Sequence, residues 1–288
     1  MPLPFVFIVL IRAAAAACVV VSASVLAEAV GPFWGGLIVS LPISAGPAYV
    51  MLGLQHDPAF IAAGALGSLA ANAVTILYLL AIIRLAPRLR WPLTLFGALT
   101  LWFAAAWLIR QMAWTFAGVC LLNIAVFAGA LSATSRIRLS GTINARAAPR
   151  RWFELPMRAL LVGSLTTTVV TASRWLGPSL TGMAAVFPIA LTGLALIVLP
   201  RVGSTASAVL FSSTLRAMPG FALALAVLHL AAEPLGTWLG MLAALLAQLA
   251  FSAVLLLAHR RRRGHGATAL SHAAVRRAAT MSAPTGHR

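Results

Sequence analysis

The sequence predicts an all-α, polytopic membrane protein: a transmembrane helical bundle of about nine spans with a disordered basic tail. Three observations carry this. Of 288 residues, 61% are hydrophobic and only 9% charged, whereas soluble domains are near 45–50% apolar and ~25% charged. The apolar residues fall in runs of about the ~20 needed to cross a bilayer. The charged residues fall mostly between those runs and at the C-terminal end.

The first run, residues 3–30, is interrupted only by Arg12 and Glu28 and is broken by Gly31-Pro32. Ala27-Glu28-Ala29 resembles a cleavage site, but no basic stretch precedes the run and Arg12 interrupts it, so it is expected to stay as a helix. A second span from Phe33 to Leu54 contains Pro42, Gly46 and Pro47 and should be kinked or locally unwound. Asp57-Pro58 is a helix start, an acid at the cap followed by proline at the first turn. The third span follows it to about Ile83, before a basic loop with Arg84, Arg88 and Arg90. Residues 91–134 suit two spans with Arg110-Gln111 as the turn. Spans are expected over 155–175, 178–199, about 204–230 and 234–258.

The organisation is then a first half over 1–134, a basic loop over 135–153, a second half over 154–258, and a disordered tail over 259–288 opening with Arg260 to Arg263. All 21 basic residues are arginine, and the acids are Glu28, Asp57, Glu154 and Glu233, giving +17. The location of this charge excludes nucleic acid as a partner and fits basic loops held on the cytoplasmic side of a bacterial inner membrane. That orientation puts the C-terminus inside and the N-terminus outside, with Arg110 and Arg174 the exceptions in short outer turns.

An offset of 146 residues (177 − 31) superimposes two segments. Gly31-Pro32 meets Gly177-Pro178, Gly36 meets Gly182, and Pro42-Ile43 meets Pro188-Ile189. Upstream, Arg12-Ala13 meets Arg158-Ala159 in the same register. Glycine and proline set backbone shape, so the pattern G-P-x3-G-x5-P-I, present twice, reads as a duplicated backbone. Five spans separate the two copies, and an odd number places them in opposite orientations. Inverted repeats with broken helices at matching positions belong to secondary transporters, which bind at the repeat interface. A packing face made by Gly31, Gly35 and Gly36 is the plainer alternative.

The tandem motif, with Leu41-Pro42-Ile43-Ser44-Ala45-Gly46-Pro47 in one copy and Phe187-Pro188-Ile189 in the other, resembles uncharacterised bacterial inner-membrane proteins built from two related apolar halves. The resemblance covers most of residues 5–258. It implies the duplication and carries no catalytic residues.

Ionisable or strongly polar groups within spans are costly and are functional candidates. Arg216 is the foremost: it lies mid-span ahead of Pro219-Gly220, which could open the helix beside it, and would bind a small anionic solute. Pairing with carbonyls freed by Pro219 is its structural alternative. Arg12 follows. Asn72 and Asn123 could bind solute or join helices, and Ser40 and Ser44 flank Pro42. Trp34, Trp91, Trp114 and Trp152 read as interfacial anchors. No enzyme signature is present, and no metal or cofactor is expected: His56-Asp57 is an isolated pair. The expected function is a small-solute permease with its site between the paired broken helices. A non-catalytic membrane subunit or assembly factor is the alternative, ahead of an intramembrane enzyme.

Overall fold

The computed structural model describes residues 45–135, 154–202 and 204–255, with isolated positions Ala14, Cys18, Ser22 and Leu257. Arg12, Glu28, Gly31, Pro32, Gly36, Ser40, Pro42 and Ser44 therefore lie outside the described residues, as do nearly all of the 135–153 loop and the 259–288 tail.

Every described element is a helix. They are α1 (Ala45–Gly53), α2 (Pro58–Leu85), α3 (Trp91–Arg110), α4 (Phe116–Thr134), α5 (Glu154–Ala185), α6 (Ile189–Val202), α7 (Ser204–Leu235) and α8 (Thr237–Leu255). Among the described residues, six helical stretches are long and apolar enough to cross a membrane, so the chain fits a multi-pass integral membrane protein in contact with a lipid bilayer.

The boundaries follow local chemistry. Asp57 caps α2, its Oδ1 accepting from the Phe60 N–H at 2.8 Å with Pro58 in the first turn; this satisfies a donor that has no partner inside the helix. The α3–α4 turn falls after Arg110. There Trp114 donates its indole N–H to the Ile109 carbonyl at 2.8 Å, so this tryptophan closes a helix end. Thr115 caps α4.

The 43-residue apolar stretch Ala159–Arg201 is far longer than one membrane crossing, and it folds back on itself. Gly177 has φ 71 and ψ 171, a backbone conformation open to glycine. Leu161 and Gly193, each 16 residues from it (177 − 161 and 193 − 177), come together, a Cβ on Gly193 lying 3.0 Å from a Leu161 methyl. The returning arm is interrupted at 186–188, ahead of buried Pro188, between the 178–185 segment and α6.

Two expectations change. Pro219 does not open α7, which runs unbroken past it; a single missing N–H leaves only one carbonyl without its helical partner. The α7–α8 break falls at Gly236, with φ 83, and not before Pro234. Proline lacks an N–H but leaves the last turn intact, whereas glycine permits the reversal.

At the centre stands α2. Of its most apolar window 78% is buried, against 17% for α4. A helix apolar on all faces belongs in an interior, and small residues (Ala62, Gly64, Ala65, Gly67, Ser68) let neighbours approach it closely. Its direction relative to each neighbour follows from named contacts. His229 near the end of α7 meets Ala62 near the start of α2, so these two helices run antiparallel. Trp102 meets Thr75, while Leu85 lies against Gly97, so α3 is also antiparallel to α2. Arg84 reaches Ala133 and Asn72 reaches Asn123, so α4 is parallel to it. One end of the bundle therefore gathers Arg84, Arg88, Arg90 and Arg201. The other gathers His56, Asp57, Arg110, Arg174 and Glu233.

Candidate functional site

The polar groups of the bundle converge on α2. Ser68 donates to the Gly182 carbonyl at 2.6 Å, which uses its only proton, so the Tyr49 hydroxyl 2.7 Å away must be the donor to Ser68 Oγ. This chain ties α1, α2 and the 178–185 segment together in the interior. The crossing is a backbone-to-backbone contact: a Cβ on Gly182 would overlap the Gly64 carbonyl, and one on Gly67 would overlap Ser179. Ten residues further along α2, Tyr78 and Thr192 share a hydrogen bond of 3.0 Å across to α6. The chain has two tyrosines. Both are buried and both bridge to other helices.

Beside the interruption at 186–188, Phe187 packs edge-on against Trp102, with ring centroids 4.9 Å apart, and lies 5.6 Å from Phe103. Trp102 in turn donates to Thr75 Oγ1 at 3.3 Å. The break is thus walled by aromatic rings on its α3 side.

On the other side of α2, Asn72 Nδ2 donates to Asn123 Oδ1 at 2.9 Å, and Asn123 Nδ2 donates to the Leu69 and Val119 carbonyls, each at 2.9 Å. The two asparagines singled out from the sequence are therefore brought together, and their geometry is that of an interhelical clamp holding α4 to α2. Asn123 also lines a cleft of about 230 Å³ between α2, α4 and α7, with Leu69, Ile76, Cys120, Ile124, Phe127, Pro219, Ala222, Leu223 and Ala226. Its wall is almost wholly carbon. Its rim opens between Ile124, 65% exposed, and Leu223, 42% exposed.

Arg216 stands on α7 one turn before Pro219, the first residue of α7 to line this cleft, and is not itself part of the lining. The spacing 216, 219, 223, 226 is one stripe of a helix, and the last three positions line the cleft. Arg216 is half-buried and makes no hydrogen bond or ion pair with another described residue.

At the acid-bearing end, His56 Nε2 lies 2.8 Å from Ser173 Oγ and its ring stacks on Phe60 at 3.7 Å. Burial lowers the His56 pKa; Asp57 opposes this and Arg174 adds to it. His229 Nδ1 carries its proton toward the Ala62 carbonyl at 2.8 Å, since a carbonyl can only accept. Among the described residues, no group of three His, Cys, Asp or Glu side chains stands close enough to hold a metal ion.

Sequence reasoning missed Tyr49, Ser68, Tyr78 and His229. Each is a hydrogen-bonding group inside an apolar run, the signal that singled out Asn72 and Asn123. No protein-family model, curated protein or solved structure matches the chain.

Proposed function

We propose that the chain is a permease for a small solute, built from two related halves of opposite orientation, with the solute held where the interrupted helices meet the α2–α7 pair. One observation carries this reading: helices related by the 146-residue offset run antiparallel to each other. The range 58–85 plus 146 is 204–231, which falls within α7, and Trp91 plus 146 is 237, the first residue of α8. Packing within each half also recurs. Trp102 bonds to Thr75 in the first; their offset mates are Gln248 and Phe221, and Gln248 lies against Gly220 in the second. The unpaired fifth helix, α4, supplies the odd count that inverts the second copy.

The interruption at 186–188 adds support by its place in mid-arm, where a transporter of this construction binds its solute; at rest the Phe187 N–H and carbonyl and the Pro188 carbonyl are hydrogen-bonded to neighbouring main chain. Arg216 is the residue that would meet an anionic group. In this reading the arginine-rich end faces the cytoplasm of a bacterium, the C-terminus is inside, and the membrane is the inner one. The motif resemblance to two-halved inner-membrane proteins agrees with it.

The test is uptake into proteoliposomes of a panel of labelled carboxylates and phosphate esters. The wild-type protein is expected to move at least one, and Arg216→Ala to move none while eluting as the same monodisperse species. No flux of any panel member would count against the permease. The packing of Phe187 on Trp102 and Phe103 favours a second reading, a non-catalytic subunit with no solute path. That reading predicts stoichiometric partners on mild-detergent purification and unchanged partner recovery in Arg216→Ala.

A further inference from the structure

Resting on the permease reading, we infer that its solute is an amphiphile with one hydrocarbon chain and an anionic head, which enters sideways from the bilayer through the α2–α4–α7 cleft, an entry site across α2 from the interruption at 186–188. Four observations converge on this class. First, the one amide that lines the cleft is engaged: both hydrogens donated by Asn123 go to carbonyls and its oxygen accepts from Asn72, while Asn72 Oδ1, which has no partner, is buried outside the lining, so a polar solute would lose its water with little replacement. Second, the space suits hydrocarbon, since an apolar cavity of about 150 Å³ already holds benzene and this one measures about 230 Å³. Third, the rim residues Ile124 and Leu223 are exposed on helices apolar enough to stand in lipid, so the cleft opens toward the membrane interior.

The fourth observation is charge. Arg216 lies on the stripe that lines the cleft, displaced toward the arginine-bearing end, and is without a partner among the described residues. From Arg216 to Ala226 is ten residues, about 15 Å of helix and about half the hydrocarbon thickness of a bilayer. A head held at Arg216 would therefore leave its chain along Pro219, Leu223 and Ala226. Of the described acids, Asp57 and Glu233 stand at the opposite end of the bundle, while Glu154 opens α5 at the arginine-bearing end. Carboxylate and phosphate heads share the chemistry that a guanidinium recognises.

Cys120 lines the cleft and reports its occupancy. In Cys18→Ser protein held in phosphatidylcholine nanodiscs, alkylation of Cys120 by N-ethylmaleimide is followed by intact mass. Three additives separate chain from charge: oleyl phosphate, oleyl alcohol and inorganic phosphate. Oleyl phosphate is expected to protect Cys120 at a concentration about tenfold lower than oleyl alcohol, the factor one charge-assisted contact supplies, while inorganic phosphate gives no protection. Arg216→Gln should erase the tenfold difference and leave protection by oleyl alcohol intact. Ala222→Phe, which fills the cleft, should leave the rate insensitive to all three.

Equal protection by the two oleyl compounds in the wild type, protection by inorganic phosphate, no protection at all, or a preference surviving in Arg216→Gln would each overturn the inference. Elution of each variant as the wild-type species excludes misfolding, and Arg216→Gln decides the matter if Ala222→Phe does not fold. Because the measurement is made at equilibrium without a gradient, it is independent of flux. A permease for a water-soluble anion would fail here and still pass the uptake test.

Discussion

Helices α2 and α7 overlay at an offset of 146 residues and pack against each other in opposite directions, yet they are different objects. The first is enclosed on all sides, lined with alanine and glycine, and carries buried Ser68, Asn72, Thr75 and Tyr78, each bonded across the bundle or to its own backbone. The second keeps Arg216 and Pro219 on a face that lipid can reach. Helix α2 serves as the scaffold that other helices close upon. Helix α7, less enclosed, has the freedom to hold a charge. Enclosure decides the difference, because a fully buried charge would need a partner whereas a half-buried one can wait for a ligand.

Matched substitutions should break this comparison if it is wrong. The largest effect is expected at Gly67, where Gly67→Leu would drive a side chain into the Ser179 backbone and abolish monodisperse protein. Its offset mate carries an exposed serine, and Ser213→Leu should change stability by no more than about 0.5 kcal/mol. Thermal unfolding in detergent compares the two. Equal tolerance would remove α2 from the centre.

Next comes Asn123→Leu, which strips Asn72 of its acceptor and should cost about 1–3 kcal/mol. Met218→Leu, at the mate of Asn72, should cost less than about 1.5 kcal/mol. Ser68→Ala removes the middle of the Tyr49–Ser68–Gly182 chain and should cost about 1 kcal/mol. Thr214→Ala loses only a bond to its own helix at Leu210 and should fall within about 0.5 kcal/mol.

The smallest expected effect is one of pH, at the end where both helices are fastened by histidine. Burial lowers the His56 pKa, so the folded state favours the neutral ring. The stability this gives is present above the unfolded value near 6.5 and is lost as pH falls through the depressed folded value. The unfolding temperature should decline on acidification through that range, and His56→Gln should flatten part of the decline. A wild-type profile that is flat there, or rises, would contradict this coupling between α2 and Ser173.

Much of the scaffold was legible in the sequence because it is written in residues with unambiguous backbone demands. Asp57-Pro58 could only begin a helix efficiently, Gly177 could reverse the chain, and Pro188 ended one segment before the next. Proline within a helix was less legible. Pro219 and Pro234 each forfeit one hydrogen bond, and whether a helix bends, breaks or continues depends on packing that no local pattern encodes.

The site was harder still. Hydroxyls in apolar helices often bond to their own preceding turn, as Thr134, Thr181 and Ser212 do, so Ser68 looked no different until distant helices were brought together. Nor could periodicity identify α2 as the central helix, since a span surrounded by lipid and one surrounded by protein are equally apolar. Arg216 stood out in both descriptions, because a cation in a mid-span position is expensive wherever it sits.

The central claim, that the two halves pass through the membrane in opposite directions, is tested most directly by side-specific labelling of offset mates. Gln55→Cys and Arg201→Cys (55 + 146) in a Cys18→Ser, Cys120→Ser background should react with a membrane-impermeant maleimide from opposite faces. Gln55→Cys should label in sealed cells and Arg201→Cys only after permeabilisation. Labelling of both from the same face would leave the halves parallel and would contradict the inverted arrangement.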